Sequence, residues 1–201
     1  MKKKKNQVDF YKQKITLIKK EYMNKIGFFA ITANPPHLGH LKVVQQALDK
    51  FDEIWVSPVY IHPMGEGKVT YENRLEMTKL LFAEMPKEKV KIKEIDKEYQ
   101  ELNGKPPYSY ELLNFIKEKY SFNASLILGV DNFYSEKWKN FYKHHKVTKD
   151  FGVALFSDIG IHSSTIRELI DEGKWMKVEV ACGKAVADFL KNNLASVAYG
   201  D

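Results

Sequence analysis

Apolar residues in this chain occur in short runs that alternate with segments of helical periodicity. Five segments have the length and composition of β-strands, namely residues 26–31, 53–58, 90–95, 124–128 and 152–156. The segments between them carry apolar residues at spacings of three and four, which predicts helices on the connections. Such alternation favours a single α/β domain with an open, mainly parallel, Rossmann-like sheet and helices on both faces.

The pattern also sets the expected bounds of helices and loops. Helices are predicted over residues 37–48, 71–84, 107–120, 167–173 and 184–194. Residues 59–70 and 96–107 are rich in polar residues and contain glycines, so both segments are predicted as loops. Residues 178–188 are predicted to contain a turn at Cys182 and Gly183 that leads into the last helix.

Composition restricts the class of protein. A chain of 201 residues with 44% apolar and 13% aromatic content can bury one sizeable core. Cys182 is the only cysteine, so an internal disulfide is impossible. No apolar stretch approaches the ~20 residues that a membrane span requires. These features favour a cytoplasmic domain.

The positive charge is concentrated at the start of the chain. The formal net charge is +6, and residues 1–24 hold eight lysines against Asp9 and Glu21, which alone amounts to +6. Residues 25–201 are therefore close to neutral and are predicted to form the folded domain, preceded by a basic extension over residues 1–24. We expect small-molecule substrates and no membrane partner, with nucleic acid contacted only through the extension if at all.

The most informative segment joins the first predicted strand to the first predicted helix. Residues 32–36 break the strand, and His37 and His40 then occupy one face of the first helical turn. Unpaired N–H groups at a helix start bind anions, and the same positive end of the helix dipole keeps empty-site histidines neutral. Gly39 allows a ligand close to the backbone. A helix-capping histidine beside a surface one is the structural alternative.

A second candidate anion site lies before the predicted helix at residues 167–173. Ser163 and Ser164 place hydroxyl groups at the helix start, and Arg167 adds a guanidinium one turn further on. An ordinary serine-capped helix explains the serines equally well. Two such sites, near the first and the fifth strand, would suit a ligand with several phosphates.

The first of these segments resembles a family signature. Thr32-x-Asn34-Pro35-x-His37-x-Gly39-His40 is similar to the (S/T)-x-(D/N)-P-x-H-x-G-H pattern of nucleotidylyltransferases, and specifically of nicotinate or nicotinamide mononucleotide adenylyltransferases. The resemblance spans nearly all of residues 25–190. It implies transfer of AMP from ATP to a pyridine mononucleotide with release of pyrophosphate, in NAD biosynthesis. It also implies catalytic roles for His37, His40 and Arg167, and Mg²⁺ carried in with ATP.

Further segments extend the resemblance to the nucleotide contacts. Gly129-Val130-Asp131-Asn132 is similar to the family's G-x-D-(N/S), which contacts ribose, and residues 161–167 are similar to I-S-S-T-x-I-R. The resemblance implies ATP contacts from Thr32, Gly39, Gly129, Asp131, Ile161, Ser163 and Ser164.

The same resemblance implies a pyridine nucleotide site. Residues 107–113 are similar to S-Y-T-x-D-T-L, and Lys68 is the candidate for the lysine of the family's basic loop. Trp138 lies seven residues after Asp131, where the family has a ring-stacking tryptophan at about eight, so Phe133 or Phe141 is the alternative stacking residue. The implied substrate contacts are Asn34, Lys68, Tyr108, Ser109 and Trp138.

Two alternative functions remain open. Ala30-Ile31 stands where the family usually has Gly-Gly or Gly-Ser, which would suit a catalytically silent nucleotide-binding regulator. Another nucleotidylyltransferase of this superfamily, acting on phosphopantetheine or using CTP, would share both anion sites. Arg74 resembles an arginine of the family, whereas its helical position by itself predicts an exposed side chain.

Overall fold

A computed structural model describes residues 25–61, 69–134, 138, 140–157 and 159–193. Its described residues form one sheet of five parallel strands in the order β3-β2-β1-β4-β5. The strands are β1 (Ile26–Ile31), β2 (Glu53–Pro58), β3 (Val90–Ile92), β4 (Ala124–Gly129) and β5 (Val153–Phe156). The prediction of an open parallel sheet is confirmed, while β3 ends three residues before the predicted limit. The predicted extension over residues 1–24 lies outside the described residues.

Helices lie on the connections between the strands and also follow the last strand. They are α1 (Leu38–Ala47), α2 (Tyr71–Leu81), α3 (Ile95–Asn103), α4 (Ser109–Tyr120), α5 (Val130–Tyr134), α6 (His144–Asp150), α7 (Ser163–Asp171), α8 (Trp175–Cys182) and α9 (Lys184–Asn192). In the part of the chain that the structure describes, none of them is long and apolar enough to cross a membrane.

The sheet separates two apolar clusters. Side chains of a strand alternate between faces, so Phe28 and Phe29 of β1 enter different clusters. The cluster with Phe29 receives α1, α2, α7, α8 and α9, and the cluster with Phe28 receives α3, α4, α6 and Trp138. Burial on both faces explains why the strands read as continuous apolar runs.

The loop predicted for residues 96–107 is wrong, because most of it is helix α3. Its apolar residues Ile95 and Tyr99 are buried at a spacing of four and pack with α4, where the rings of Tyr99 and Phe115 are 5.6 Å apart. Gly104, at φ 68°, ends the helix in the left-handed conformation that glycine adopts readily. The glycine therefore marks the end of a helix rather than the centre of a loop.

The prediction for residues 178–183 is also wrong in part. Helix α8 covers Trp175–Cys182, and its buried residues Val178 and Cys182 are one turn apart. Gly183, at φ 82°, separates α8 from α9. The turn is thus a single residue between two helices, and the last helix begins at Lys184 as predicted.

Candidate active site

A cavity of about 790 Å³ opens across the carboxyl ends of β1 and β4. This is where ligands bind in open parallel sheets. Its wall includes these predicted site residues: Thr32, His37, Gly39, His40, Tyr108, Ser109, Gly129, Asp131, Trp138, Ile161 and Ser163. Asn34, Ser164 and Arg167 lie outside this wall, and Lys68 lies outside the described residues.

The cavity has two chemically different ends. The histidine end is formed by His37, Gly39, His40, Ile161 and Ser163, on the side of the sheet that carries α1 and α7. The aromatic end is formed by Asp96, Tyr108, Ser109, Trp138 and Tyr142, on the side that carries α3 and α4. A ligand with a charged part and a flat apolar part fits this division.

The two histidines are stacked at the start of α1. His37 precedes the first helical residue with extended backbone angles, φ −148° and ψ 170°, and its carbonyl accepts from the His40 N–H at 2.9 Å. The ring centroids are 3.8 Å apart with an interplanar angle of 32°. The predicted common face is therefore confirmed.

Hydrogen bonding fixes the tautomer of His40. The backbone N–H of His37 donates to His40 Nδ1 at 3.1 Å, and a ring nitrogen that accepts carries no proton. The proton of the neutral ring is then on Nε2, which is the donor left for a ligand. Burial, and secondly the nearby His37, lower the pKa of His40 well below 6.5. The predicted neutral state is confirmed for His40, with burial rather than the helix dipole as its main cause.

Glycines permit two close approaches around the strand ends. A Cβ atom on Gly39 would lie 2.9 Å from His37 Nδ1 and 3.6 Å from the Ile161 carbonyl oxygen. A Cβ atom on Gly129 would lie 2.5 Å from Asp131 Oδ1. The first glycine thus allows the histidine stacking, and the second allows the Asp131 carboxylate to turn back over the end of β4.

The start of α7 is tied to the loop that follows β1. Ser163 Oγ donates to the Pro35 carbonyl at 2.9 Å, and Arg167 Nη1 donates to the Asn34 carbonyl at 2.7 Å. Ser164 is exposed. The two predicted anion sites are therefore adjacent, and Ser163 and Arg167 connect them through the backbone.

The helical pattern predicted an exposed Arg74, and this prediction is wrong, because only 5% of its surface is exposed. Its guanidinium donates to the carbonyl oxygens of Thr32 (2.9 Å), Val59 (2.5 Å), Tyr60 (2.8 Å) and Val69 (3.1 Å). A buried arginine needs such partners for its fixed fork of donors. Arg74 thereby joins the end of β1 to the end of β2. In the sequence, only the resemblance to an arginine of the family singled out this residue.

The aromatic end contains buried and exposed rings. Trp138 is 8% exposed, and its ring lies 5.2 Å from both Phe133 and Phe141, so much of it packs within the apolar cluster. Tyr108 and Tyr142 are 43% and 41% exposed, with ring centroids 4.8 Å apart. The sequence comparison with the family gave no indication of Tyr142.

Helix α4 starts at the aromatic end. The Tyr108 N–H donates to Glu111 Oε2 at 3.0 Å, so the acidic residue of the 107–113 motif caps the helix. Ser109 is the first helical residue and lines the cavity. The N-cap of α4 is therefore Tyr108.

Ala30 and Ile31 do not close the cavity. Ile31 belongs to the apolar cluster on the α1 side, and Ala30 packs against the cluster on the α4 side. Their side chains thus extend to opposite faces of the sheet. The end of the strand between them stays accessible from the cavity, which both residues line.

Within the described residues, no group of three or more His, Cys, Asp or Glu side chains is arranged to hold a metal ion. The candidate donors of the histidine end are instead the backbone N–H groups of Leu38 and Gly39 and the imidazoles of His37 and His40. Such donors suit phosphate oxygens.

Comparison with known proteins agrees with this geometry. A profile described as cytidylyltransferase-like matches residues 28–169. The nicotinate-nucleotide adenylyltransferase of Bacillus subtilis (strain 168) is 34% identical over 123 residues, which cover 58% of this chain and 61% of the relative. A protein of Bacillus licheniformis named "Probable nicotinate-nucleotide adenylyltransferase" is 33% identical over 138 residues, which cover 65% of this chain and 69% of the relative.

Solved structures are also similar. A crystal structure from Vibrio parahaemolyticus, provisionally assigned as a nicotinate-nucleotide adenylyltransferase, has a TM-score of 0.68 and 27% identity. The superposition covers 85% of this chain and 100% of the Vibrio chain. The likeness thus extends over most of this chain.

Proposed function

This chain belongs to the nicotinate-nucleotide adenylyltransferase family of cytidylyltransferase-like proteins, and from that membership we propose that it transfers the adenylyl group of ATP to a pyridine mononucleotide, in NAD biosynthesis. Nicotinate mononucleotide is the first acceptor to consider, because the relatives are named for it. The observation that carries the proposal is the tautomer of His40, whose ring presents an Nε2–H donor. This donor lies at the start of a helix, where phosphate groups bind.

The reaction requires no protein nucleophile. An oxygen of the mononucleotide 5′-phosphate forms a bond to the α-phosphorus of ATP, the bond from that phosphorus to the bridging oxygen breaks, and pyrophosphate leaves with the electron pair. The protein contributes positioning and charge stabilisation, which supply most of the catalysis in phosphoryl transfer.

The histidine end would hold the reacting phosphates. His40 Nε2–H and the N–H groups at the start of α1 donate to oxygens that gain negative charge as pyrophosphate leaves. Ile161, Ser163 and the start of α7 extend the donor set towards the β- and γ-phosphates. Arg167 acts there either directly or by holding the Asn34 carbonyl, to which it donates at 2.7 Å.

Mg²⁺ would enter with ATP as the MgATP substrate. A hard cation of this kind prefers phosphate and water oxygens, so it needs few protein ligands. The ribose hydroxyls of ATP would donate to Asp131, whose carboxylate follows directly on the end of β4. Gly129, next to it, leaves the space that this contact requires.

The aromatic end would bind the pyridine ring. Its exposed pair, Tyr108 and Tyr142, offers flat surfaces for stacking, and Ser109 offers a hydroxyl group on the same wall. Trp138 supports this wall from the apolar cluster. Phosphopantetheine has no flat ring, so this end favours the pyridine acceptor over that alternative.

The proposal is tested by incubating the purified protein with MgATP and, separately, nicotinate mononucleotide, nicotinamide mononucleotide or phosphopantetheine, while pyrophosphate release and product mass are followed. We expect a dinucleotide product with at least one pyridine acceptor. Product from phosphopantetheine, or product in a parallel incubation with MgCTP in place of MgATP, would assign the chain to a different reaction of the superfamily. Binding without turnover of any acceptor would identify a silent regulator.

A further inference from the structure

A lysine next to the aromatic end contacts the rings of two tyrosines. The ammonium nitrogen of Lys143 lies 4.6 Å from the ring centroid of Tyr142 and 5.1 Å from that of Tyr110. Both distances are within the about 6 Å at which a cation is attracted to an aromatic ring. A hydrogen bond with the Tyr142 side chain raises the pKa of Lys143, so the ammonium group is charged at neutral pH. One charge thus joins two rings from different parts of the chain.

Of these two rings, only that of Tyr142 belongs to the cavity wall. Tyr142 is 41% exposed, and its ring centroid lies 4.8 Å from that of Tyr108, which is also part of the wall. Lys143 itself is partly buried and lies outside the wall. An effect of Lys143 on a ligand in the cavity is therefore expected through the Tyr142 ring rather than by direct contact.

The second ring is anchored on both sides. Tyr110 lies in the first turn of α4, and its hydroxyl group donates to Asp150 Oδ2 at 3.2 Å, at the end of α6. Its ring centroid lies 5.8 Å from that of Phe151, which is 8% exposed and belongs to the apolar cluster on this side of the sheet. Tyr110 therefore gives the ammonium group of Lys143 a fixed contact on the folded domain.

The backbone of Lys143 has a conformation that lysine rarely adopts. Its angles, φ 55° and ψ 30°, lie in the left-handed region, which glycine and asparagine enter more readily. The Lys143 carbonyl accepts from the N–H groups of Lys146 at 2.9 Å and Val147 at 3.0 Å, so the first turn of α6 maintains this conformation. Backbone strain of this kind is concentrated at functional sites. The contacts of the ammonium group with two rings are a physical reason for lysine at this position.

We propose that Lys143 is a positioning residue for the acceptor, because its ammonium group holds the Tyr142 ring in the orientation that stacks on the pyridine nucleotide. This inference rests on the proposed function, which places the pyridine ring at the aromatic end. A ring that is fixed before binding loses less conformational freedom when a ligand stacks on it. Lys143 therefore lowers Kd and KM for the mononucleotide and leaves the binding of ATP phosphates at the histidine end unchanged.

The substitution Lys143→Met tests this role, because methionine keeps an unbranched apolar side chain and lacks the charge. For the full-length parent and each variant, kinetics with MgATP and calorimetry give kcat, KM and Kd for nicotinate mononucleotide. We expect Kd and KM to rise about 2- to 5-fold, as for loss of a cation–π contact, while kcat and KM for ATP stay unchanged. Lys143→Arg keeps a cation and should bring both constants back to those of the parent.

Lys146→Met is the matched control. It makes the same substitution at an exposed position of α6, and Kd and KM should stay unchanged. Lys143→Gly removes the side chain but suits a φ of 55°, so it should fold even if Lys143→Met does not, and it should raise Kd by a similar factor. A purely structural role would instead lower the melting temperature without a change in Kd.

A double-mutant cycle then shows whether Lys143 acts through Tyr142. In a protein that already carries Tyr142→Ala, Lys143→Met should raise Kd no further, because the ring that transmits its effect is absent. A lysine that contacted the mononucleotide directly would change Kd by the same factor in both backgrounds.

An unchanged Kd in Lys143→Met and Lys143→Gly, or an equal rise in Kd with and without the Tyr142 ring, overturns the inference and leaves the proposed function intact. A rise in Kd that Lys143→Arg shares overturns it as well. Should the parent bind the mononucleotide but form no dinucleotide, the proposed function fails, and the same Kd values still decide the role of Lys143. A parent that does not bind the mononucleotide overturns both.

Discussion

At the histidine end of the cavity, the polar groups come from two short segments, residues 32–40 and 161–167. At the aromatic end, they come from α3, α4, Trp138 and residues 140–142. Each segment of the histidine end is a helix start with its own backbone donors, so local sequence is enough to define it. The aromatic end exists only after α3 and α4 pack on the sheet.

The two ends also differ in how they treat charge. The histidine end offers N–H donors and a neutral imidazole, which suit anions of any phosphate-containing ligand. The aromatic end consists mainly of rings and apolar side chains, and its buried carboxylate, Asp96, accepts hydrogen bonds from Tyr60 and Gln100. If the proposed function holds, the phosphates bind at the histidine end and the ring of the acceptor binds at the aromatic end. Variants at each end test this division.

The largest effect is expected from His40→Ala at the histidine end. Loss of one preorganised donor to the transition state typically lowers kcat about 10²–10³-fold. Folding and ATP binding should change little, because the interaction strengthens mainly in the transition state. Steady-state kinetics and thermal unfolding measure both quantities.

His145→Ala, at an exposed position of α6, is the control and should leave kcat unaltered. If His40→Ala kept kcat within a few-fold of the parent and lost only thermal stability, the histidine pair would be structural and the transfer mechanism would have to be abandoned.

The next effect is expected from Arg74→Met, which affects both ends because Arg74 joins β1 to β2. The four carbonyl oxygens, of which one is in a buried and three are in partly buried hydrogen bonds, would lose their donor. The free energy of unfolding should therefore fall by roughly 2–3 kcal/mol. Chemical denaturation measures this loss. Lys79→Met on the same helix, at a side chain 54% exposed, should change stability little. A small effect of Arg74→Met would show that the strand ends hold their geometry without it.

A smaller effect is expected from Tyr142→Ala at the aromatic end. Loss of one stacking ring should raise KM for the mononucleotide about 3- to 10-fold with little change for ATP. Trp138→Phe should lower stability more than affinity, because that ring is largely buried. Tyr134→Ala, at a 73% exposed ring of α5, is the control. The opposite pattern, with KM raised only by Trp138→Phe, would return the stacking role to Trp138.

The smallest effect is expected from deletion of residues 1–22. Every proposed ligand contact lies after this segment, so kcat, KM and the melting temperature should stay close to those of the full chain. The same assays on the truncated protein check this. Loss of most activity would show that residues 1–22 contribute to the active site, and that the two ends of the cavity are not sufficient for catalysis.

Local patterns predicted much of this molecule. The bounds of β1 and β2, the start of α4 near Ser109 and the strand–breaker–helix order of residues 26–47 follow from short-range rules, since each of these features is defined within a few residues. The stacking of His37 on His40 likewise needs only helix geometry and Gly39. The pattern was weakest at residues 96–107, where polar composition concealed the Ile95–Tyr99 spacing of α3.

The sequence by itself therefore determined the fold class, the family and the histidine end, because these depend on periodicity and on contiguous motifs. Only the tertiary structure decided that Arg74 is buried, that Asp96 faces the cavity with one oxygen engaged, and that Tyr142 rather than Trp138 has the more exposed ring. The partners of these side chains, such as Thr32 for Arg74 and Tyr60 for Asp96, lie tens of residues away. Burial and pKa depend on all neighbours in space, and packing of the helices on the sheet brings those neighbours together.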